Sequence, residues 1–171
     1  EVREMTDAVG KKRGRPLLIM IRVPDSVGFC RAIGIDLIAW LEQQLVDIVV
    51  GGGYYLFEPW ENLVELGHSH DVPVYPCLSG SRIGYGDGHG IRGKRLAAWR
   101  GEAAAAWQAG ADGIYLFNTA HDPTSVINRE FGSADAFRDI KPQLNPGEEL
   151  WGDAGYNALL STGSKYAKLK Q

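Results

Sequence analysis

The sequence has few of the features that assign a chain quickly to a class. Only two cysteines, Cys30 and Cys77, occur among the 171 residues. They lie in separate apolar segments, which favours buried free thiols over a disulfide framework. No apolar run approaches the roughly 18 to 20 residues of a membrane-spanning helix, so we expect no membrane partner. The chain begins at Glu1 and shows no signal peptide, which leaves both a cytoplasmic and a secreted location open.

An excess of one charge is also missing. The chain has 18 Lys and Arg against 21 Asp and Glu, a formal net charge of -3 and a pI near 5.8, so we expect no nucleic-acid partner. The basic run at residues 11–15 is typical of a solvated helix end. His68 and His70 are two residues apart on a predicted helix end and point in different directions, so we expect no metal site and no cofactor.

What is present is a regular alternation of strands and helices. Short apolar runs bounded by Pro and Gly predict four strands, and amphipathic or Ala-rich stretches predict the helices between them. The predicted strands are residues 16–24, 45–50, 72–78 and 112–118. The predicted helices are residues 1–10, 29–33 after an N-cap at Ser26, 36–44, 60–66 after Pro59, 95–109 and 123–140.

Strands that recur every 25 to 35 residues with helices between them are typical of a parallel sheet. Four such units form either an open sheet or half of an eight-stranded barrel. The turn at residues 22–25 is unlike the glycine-rich phosphate turn of open nucleotide-binding sheets, which favours the barrel. We therefore predict an α/β fold, half of a (β/α)8 TIM barrel with four parallel βα units. A single domain is expected over residues 1–171, with an irregular tail at 141–171.

Several segments resemble a known family. The apolar run at residues 16–24, the segment Gly34-Ile35-Asp36 with Trp40, and the run at 45–50 are similar to the later strands of barrel proteins related to family 10-like glycoside hydrolases. The segment at residues 110–118, GADGIYLFN, resembles their closing strand. The resemblance covers about the first 120 residues and implies that the chain carries strands five to eight of a barrel.

The resemblance implies a carboxylate pair that this chain does not reproduce. In retaining barrel glycosidases of this kind, the acid/base carboxylate follows strand four and the nucleophilic carboxylate follows strand seven. The chain has no counterpart of strand four, and residues 75–80 at the end of the expected strand seven contain no Asp or Glu. The family's catalytic pair is therefore not transferred to this sequence.

Because barrel enzymes place their sites at the carboxyl ends of strands, we expect functional residues there. Glu58 and Asp122 are the predicted catalytic carboxylates, with helix-start roles beside Pro59 and Pro123 as the alternative for each. Arg22 either binds a carboxylate or a hydroxyl-rich ligand, or pairs with Asp25. The predicted substrate-binding residues are Arg22, Asp25, Tyr54, Tyr55, Trp60, Asn118 and His121.

These residues suggest a glycoside hydrolase acting on a saccharide. The alternatives are a non-catalytic carbohydrate-binding module and a barrel fragment that needs a missing half. A half barrel would also leave two unpaired edges, so we expect a homo-oligomer in which the edges near residues 17–23 and 113–117 meet across chains.

Overall fold

The computed structural model describes residues 1–53, 56–83, 94–119 and 125–142, excepting the side chains of residues 81, 82, 94 and 95. The strands are β1 (Met20–Val23), β2 (Ile48–Gly51), β3 (Val74–Ser79) and β4 (Tyr115–Phe117). The helices are α1 (Val2–Arg13), α2 (Val27–Ala32), α3 (Leu37–Glu42), α4 (Trp60–His68), α5 (Gly80–Ile83), α6 (Lys94–Gln108) and α7 (Val126–Glu130), followed by a 3-10 helix at Ala134–Phe137.

The four strands form one parallel sheet in the order β1-β2-β3-β4. Met20 lies opposite Ile48 between β1 and β2, and Ser79 lies opposite Phe117 between β3 and β4. Strands of this kind need long crossover connections, which the intervening helices supply. The prediction of an α/β fold with four parallel βα units is confirmed.

The sheet curls into half of a barrel. The guanidinium carbon of Arg22, on edge strand β1, lies 3.9 Å from the centre of the Phe117 ring on the opposite edge strand β4. Side chains alternate between the two faces of a strand. Arg22 and Phe117 therefore mark the concave face, and the alternate residues of each strand point to the convex face.

Helices cover the convex face in two apolar clusters. Val23, Val49 and Val74 from the first three strands pack with α2, α3 and α4, whereas Leu78 of β3 and Leu116 of β4 pack with α6 and α7. The Ala-rich character of α6 lets this helix lie close to the sheet, and four of its alanines, residues 103–106, are buried. Together the clusters form the core between the sheet and the helices.

Local sequence explains where several helices begin. The Ser26 hydroxyl accepts a hydrogen bond from the Phe29 N–H at 3.3 Å, which confirms the predicted N-cap of α2. The Asp36 carboxylate accepts from the Ala39 N–H at 3.2 Å and caps α3 in the same way. Pro59 stands immediately before α4, where its missing N–H costs no helical hydrogen bond.

Two aspartates hold the amino ends of the strands through the same pattern of contacts. Before β2, Asp47 Oδ2 accepts from the Ile19 N–H at 2.6 Å and lies 3.0 Å from the Arg3 guanidinium of α1. Before β4, Asp112 Oδ2 accepts from the Val74 N–H at 2.8 Å and lies 2.8 Å from His68 Nε2 of α4. Each aspartate therefore joins the preceding strand and a helix end to its own strand.

Some predicted boundaries and packing roles differ from the structure. The helix expected over 123–140 is divided between α7 and the 3-10 helix, because Gly132 and Ser133 separate them. Pro76 lies inside β3, opposite Gly51, although prolines weaken a strand prediction. The helical positions of Trp40, Trp99 and Trp107 predict that all three face the core. Trp99 is fully buried, whereas Trp40 and Trp107 are half-buried. Beyond residue 142, the predicted irregular tail lies outside the described residues.

Candidate functional site

The carboxyl ends of the strands bring three polar groups and one aromatic ring to the same region. We define the carboxyl-end site as Arg22 of β1, Ser79 of β3, Phe117 of β4 and Asn118, which follows β4. Ser79 and Phe117 are register partners, so their side chains lie side by side on the concave face. The contact between Arg22 and Phe117 spans the concave face and joins the two edge strands, β1 and β4.

Arg22 is exposed and lies over an aromatic ring. Its guanidinium can stack on Phe117 while its N–H groups stay directed toward other acceptors, because cation–π contact uses the face of the group and hydrogen bonds use its edge. In the part of the chain that the structure describes, no carboxylate lies within salt-bridge distance of Arg22. The alternative in which Arg22 forms an ion pair with Asp25 is therefore not found among these residues.

Ser79 adds a buried hydroxyl to the site. The residue is 0% exposed, and its Oγ has no hydrogen-bond partner among the described residues. A buried polar atom without a partner is unfavourable, so it marks a place where a ligand or water molecule would be stabilised. Asn118 turns the chain at the end of β4 with φ of 49°, a left-handed conformation that asparagine adopts more readily than most residues.

Asp25 holds the loop that follows β2. It is 1% exposed, and its Oδ2 accepts from the Phe57 and Glu58 N–H groups, each at 2.7 Å. Phe57 also stacks on Phe29 of α2, with ring centres 4.4 Å apart and planes tilted by 19°. The structure therefore places Asp25 under the loop, where it positions the backbone beside the carboxyl-end site.

Glu58 and Trp60 lie on this loop and at the start of α4. The Glu58 carboxylate is half-buried and accepts a hydrogen bond from the Asn62 side-chain amide at 2.8 Å, which fits a residue at a helix start. Trp60 is 1% exposed and packs in the apolar cluster of α6 and α7. Its ring therefore serves packing and is not available to stack on a sugar.

Four predicted site residues are not placed by the structure. Tyr54, Tyr55, His121 and Asp122 lie outside the described residues, as does His89 in the glycine-rich segment after β3. Their roles stay predictions. Of the predicted residues that are described, Arg22 and Asn118 come together at the carboxyl-end site, while Asp25, Glu58 and Trp60 lie beside it.

The buried Cys30 thiol lies near the carboxylates of the strand ends. Burial raises the pKa of this thiol to about 12, with smaller contributions in the same direction from the negative charges of Asp25 and Glu58. Its Sγ lies 3.4 Å from the Pro24 carbonyl oxygen, to which the thiol donates. Cys30 is therefore a protonated, buried thiol and not a nucleophile.

Two residues with special environments were missed by sequence reasoning. Phe117 was read as an apolar strand residue, and only the register of β3 with β4 and the curl of the sheet reveal its contact with Arg22. Glu102 of α6 is 0% exposed, although a glutamate in an Ala-rich helix is usually solvated. The two-residue alternation of Tyr115 and Phe117 in the sequence could have indicated that both side chains lie on one face of the sheet. No sequence pattern indicated the burial of Glu102.

The described residues contain neither a cluster of metal-binding side chains nor a membrane-spanning helix. In residues 1–53, 56–83, 94–119 and 125–142, no three His, Cys, Asp or Glu side chains are grouped so that they could hold a metal ion. Among the same residues, no helix is long and apolar enough to cross a membrane.

The sequence was also compared with known proteins. It matches no family model, and no curated protein is significantly similar to it. The described residues supply hydrogen-bond donors and an aromatic surface, which are groups that bind a polar ligand. Asp25 and Glu58, the carboxylates nearest these strand ends in that part of the chain, both accept hydrogen bonds from the chain itself.

Proposed function

We propose that the chain binds a saccharide at the carboxyl-end site. The observation that carries this proposal is the contact of Arg22 with Phe117 across the concave face, 3.9 Å from guanidinium carbon to ring centre. We also infer that the curled sheet is half of a (β/α)8 barrel. In such barrels, ligands bind at the carboxyl ends of the strands, where this contact lies.

The chemistry of the site suits a hydroxyl-rich ligand. Saccharides present many hydroxyl groups in fixed directions, and a guanidinium has five N–H donors in a rigid plane that also binds carboxylates in a bidentate manner. Phe117 offers an apolar surface beside these donors, and the Ser79 hydroxyl lies next to that ring. The resemblance to family 10-like barrel proteins supports the same class of ligand.

A direct test is calorimetric titration of the chain with a panel of neutral and uronic acid oligosaccharides. We expect at least one to bind, with Arg22→Gln weakening its affinity about tenfold or more because charge-assisted hydrogen bonds are lost. Arg22→Lys should recover only part of the affinity, since an ammonium lacks the planar set of donors. Arg31→Gln is the matched control, because Arg31 is exposed on α2.

The panel can also contradict the proposal. If no saccharide binds the parent chain at millimolar concentration, or if Arg22→Gln and Arg31→Gln bind equally well, the carboxyl-end site is not a saccharide site. A preference for uronic acids would identify the carboxylate as the partner of Arg22.

Glycoside hydrolysis is the second candidate. Asp25 and Glu58 are neighbours at the carboxyl ends of β1 and β2, since Asp25 accepts a 2.7 Å hydrogen bond from the Glu58 backbone N–H. Asp122, which follows β4 in sequence, would be the further acid or base. Hydrolysis of aryl glycosides and polysaccharides should then be lost in Glu58→Ala or Asp122→Ala. Binding without turnover by the parent chain would leave a carbohydrate-binding module.

A further inference from the structure

We propose that a second copy of this chain closes the half barrel, with α1 of each copy seated on the outer side of β4 of the other. This inference goes beyond saccharide binding and does not depend on it. It rests on two unpartnered surfaces at opposite edges of the sheet. Both surfaces are present on every chain, which is the condition for a symmetric pair with two equal contacts.

The first surface is apolar and lies at the β1 edge. Among the described residues, six of the seven exposed large apolar side chains come before β1 or within it. They are Val2, Met5 and Val9 of α1, Leu17 and Leu18 of the connection, and Met20 of β1. Val2, Met5 and Val9 have the spacing of one stripe along a helix. We call these six residues the β1-edge surface.

The position of α1 keeps this stripe turned outward. Only Thr6 and Gly10 of the helix are buried, and the Arg3 guanidinium, 3.0 Å from Asp47, ties α1 to the start of β2. Met5 is 58% exposed and Leu18 is also 58% exposed. An apolar patch of this extent beside an open strand edge is typical of an interaction surface.

The second surface is a hollow at the β4 edge. A cavity of about 340 Å³ lies beside β4. Its lining is partly apolar, from Trp107, Ile114, Leu116, Ile127 and Phe131, and partly polar, from Tyr75, Asp112 and Asn128, with Gly113 and Gly132 between them. Helix α7 has only five residues, too few to cover the outer side of β4. Within the described part of the chain, no strand pairs with the free edge of β4 or with the free edge of β1.

The two surfaces fit each other in a closed ring. In a parallel barrel a helix that precedes a strand packs outside that strand and its neighbour, so joining β1 to β4 of a second copy brings α1 over the hollow. The apolar stripe then meets the apolar part of the lining, formed by α6, β4 and α7. Two copies supply the eight strands that a closed barrel of this type contains, and the concave faces cover one another.

Charge at the amino ends of the edge strands favours the same pairing. Lys11, Lys12, Arg13 and Arg15 are exposed at the end of α1 and just after it. In the segments next to the amino end of β4, Asp112, Asp139 and Lys141 are exposed, and the exposed Arg138 is paired with Asp135. Asp139 lies near this end of β4, because the carbonyl oxygen of the next residue, Ile140, accepts a hydrogen bond from the side-chain amide of Gln108 at the end of α6. Opposite charges therefore meet when the edges join.

The primary test is sedimentation equilibrium of the full chain from about 1 to 100 µM. We expect a dimer whose association is weakened at least tenfold in Met5→Glu, because the carboxylate would be buried against the hollow. Ala97→Glu is the matched control, since Ala97 is exposed on α6 and should leave the dimer intact. A folded monomer across the whole range, or equal effects of the two variants, would overturn the proposal.

A cross-linking experiment fixes the geometry without relying on a disruptive substitution. Met5→Cys and Gly132→Cys chains carrying different tags are mixed and treated with a short bifunctional maleimide. No described atom lies within 4 Å of a Cβ built at Gly132, so a cysteine fits there. We expect a covalent product with both tags, and none when Ala97→Cys replaces Met5→Cys. Absence of the mixed product in a dimeric sample would show that the copies associate by another surface.

Discussion

The two ends of the curled sheet use their polar residues differently. At the amino ends, Asp47 and Asp112 each accept a hydrogen bond from the neighbouring strand; Asp47 also forms an ion pair with Arg3, and Asp112 a hydrogen bond with His68. At the carboxyl ends, Arg22 has an aromatic contact, and the Ser79 hydroxyl has no hydrogen-bond partner in the described part of the chain. This difference is the basis of our proposal that the carboxyl ends of the strands bind a ligand.

One residue at the carboxyl end behaves like those at the amino end. Asp25 is buried and accepts from two backbone N–H groups. Polar residues at strand ends therefore cannot be sorted by position alone. What separates them is whether the chain itself already satisfies their hydrogen bonds, and substitutions at both ends test this distinction.

The largest effect is expected from Asp25→Ala. Removing the carboxylate leaves two buried N–H groups without their acceptor, so we expect the free energy of unfolding to fall by about 3 to 4 kcal/mol. Urea denaturation measures this change. Asp36→Ala is the comparison, because Asp36 is an exposed N-cap whose loss costs about 1 kcal/mol. Equal losses of unfolding free energy in the two variants would show that Asp25 stabilises the fold no more than an exposed N-cap does.

Gly67→Ala tests the close packing at the amino end. A Cβ at this position would lie 2.7 Å from the Val72 carbonyl oxygen and would also contact the Val74 side chain. Since backbone atoms cannot move aside easily, we expect a loss of about 2 to 3 kcal/mol in the free energy of unfolding. Gly132→Ala is the control, since no described atom lies within 4 Å of its Cβ. Unchanged stability of Gly67→Ala would mean that α4 can move away from β3.

Asp112→Ala should lower the free energy of unfolding by about 2 kcal/mol, because the Val74 N–H and His68 lose a charged acceptor. Asp112→Asn should recover part of this loss, since its amide oxygen still accepts from Val74. Glu65→Ala on the exposed surface of α4 is the control. Saccharide affinity should be unchanged in all three variants, and a weaker affinity in Asp112→Ala would contradict the separation between the two ends.

The smallest effect concerns the ion pair between α6 and α7. Two short hydrogen bonds from Arg100, at 2.8 and 2.6 Å, hold the pKa of the Glu130 carboxyl below its usual value. A lowered pKa in the folded state contributes stability above the unfolded pKa, and this contribution is lost as the pH falls through the folded pKa.

Glu130→Gln should therefore cost about 1 kcal/mol near pH 7, with the difference from the parent chain shrinking toward pH 3. Thermal unfolding across this pH range measures it. A difference independent of pH would show that the charge of Glu130 does not contribute.

Much of the fold could be predicted from the sequence because its causes are local. The apolar runs marked the four strands, and Ser26, Asp36 and Pro59 marked helix starts that the structure confirms. The interruption of the helix expected at 123–140 was not predicted, although Gly132 lies where the helix is broken and glycine disfavours a helix interior.

The site was less predictable because it depends on distant contacts. Arg22 and Phe117 are 95 residues apart in number, and only the register and curl of the sheet bring them together. Glu58 was predicted as a catalytic carboxylate and Trp60 as a substrate-binding residue because they follow a strand. The structure adds that the Glu58 carboxylate accepts a hydrogen bond from Asn62 and that Trp60 packs in the core, contacts that strand order alone does not reveal.

The most direct test of the account measures saccharide affinity and melting temperature together in Arg22→Gln and Asp112→Ala. We predict that Arg22→Gln weakens binding about tenfold with little change in melting temperature, because its exposed guanidinium contributes little to the fold. Asp112→Ala should lower the melting temperature by several degrees and leave affinity unchanged. The opposite pattern, in which Arg22→Gln lowers the melting temperature by several degrees and leaves affinity unchanged, would contradict the proposal that the carboxyl ends of the strands bind a ligand.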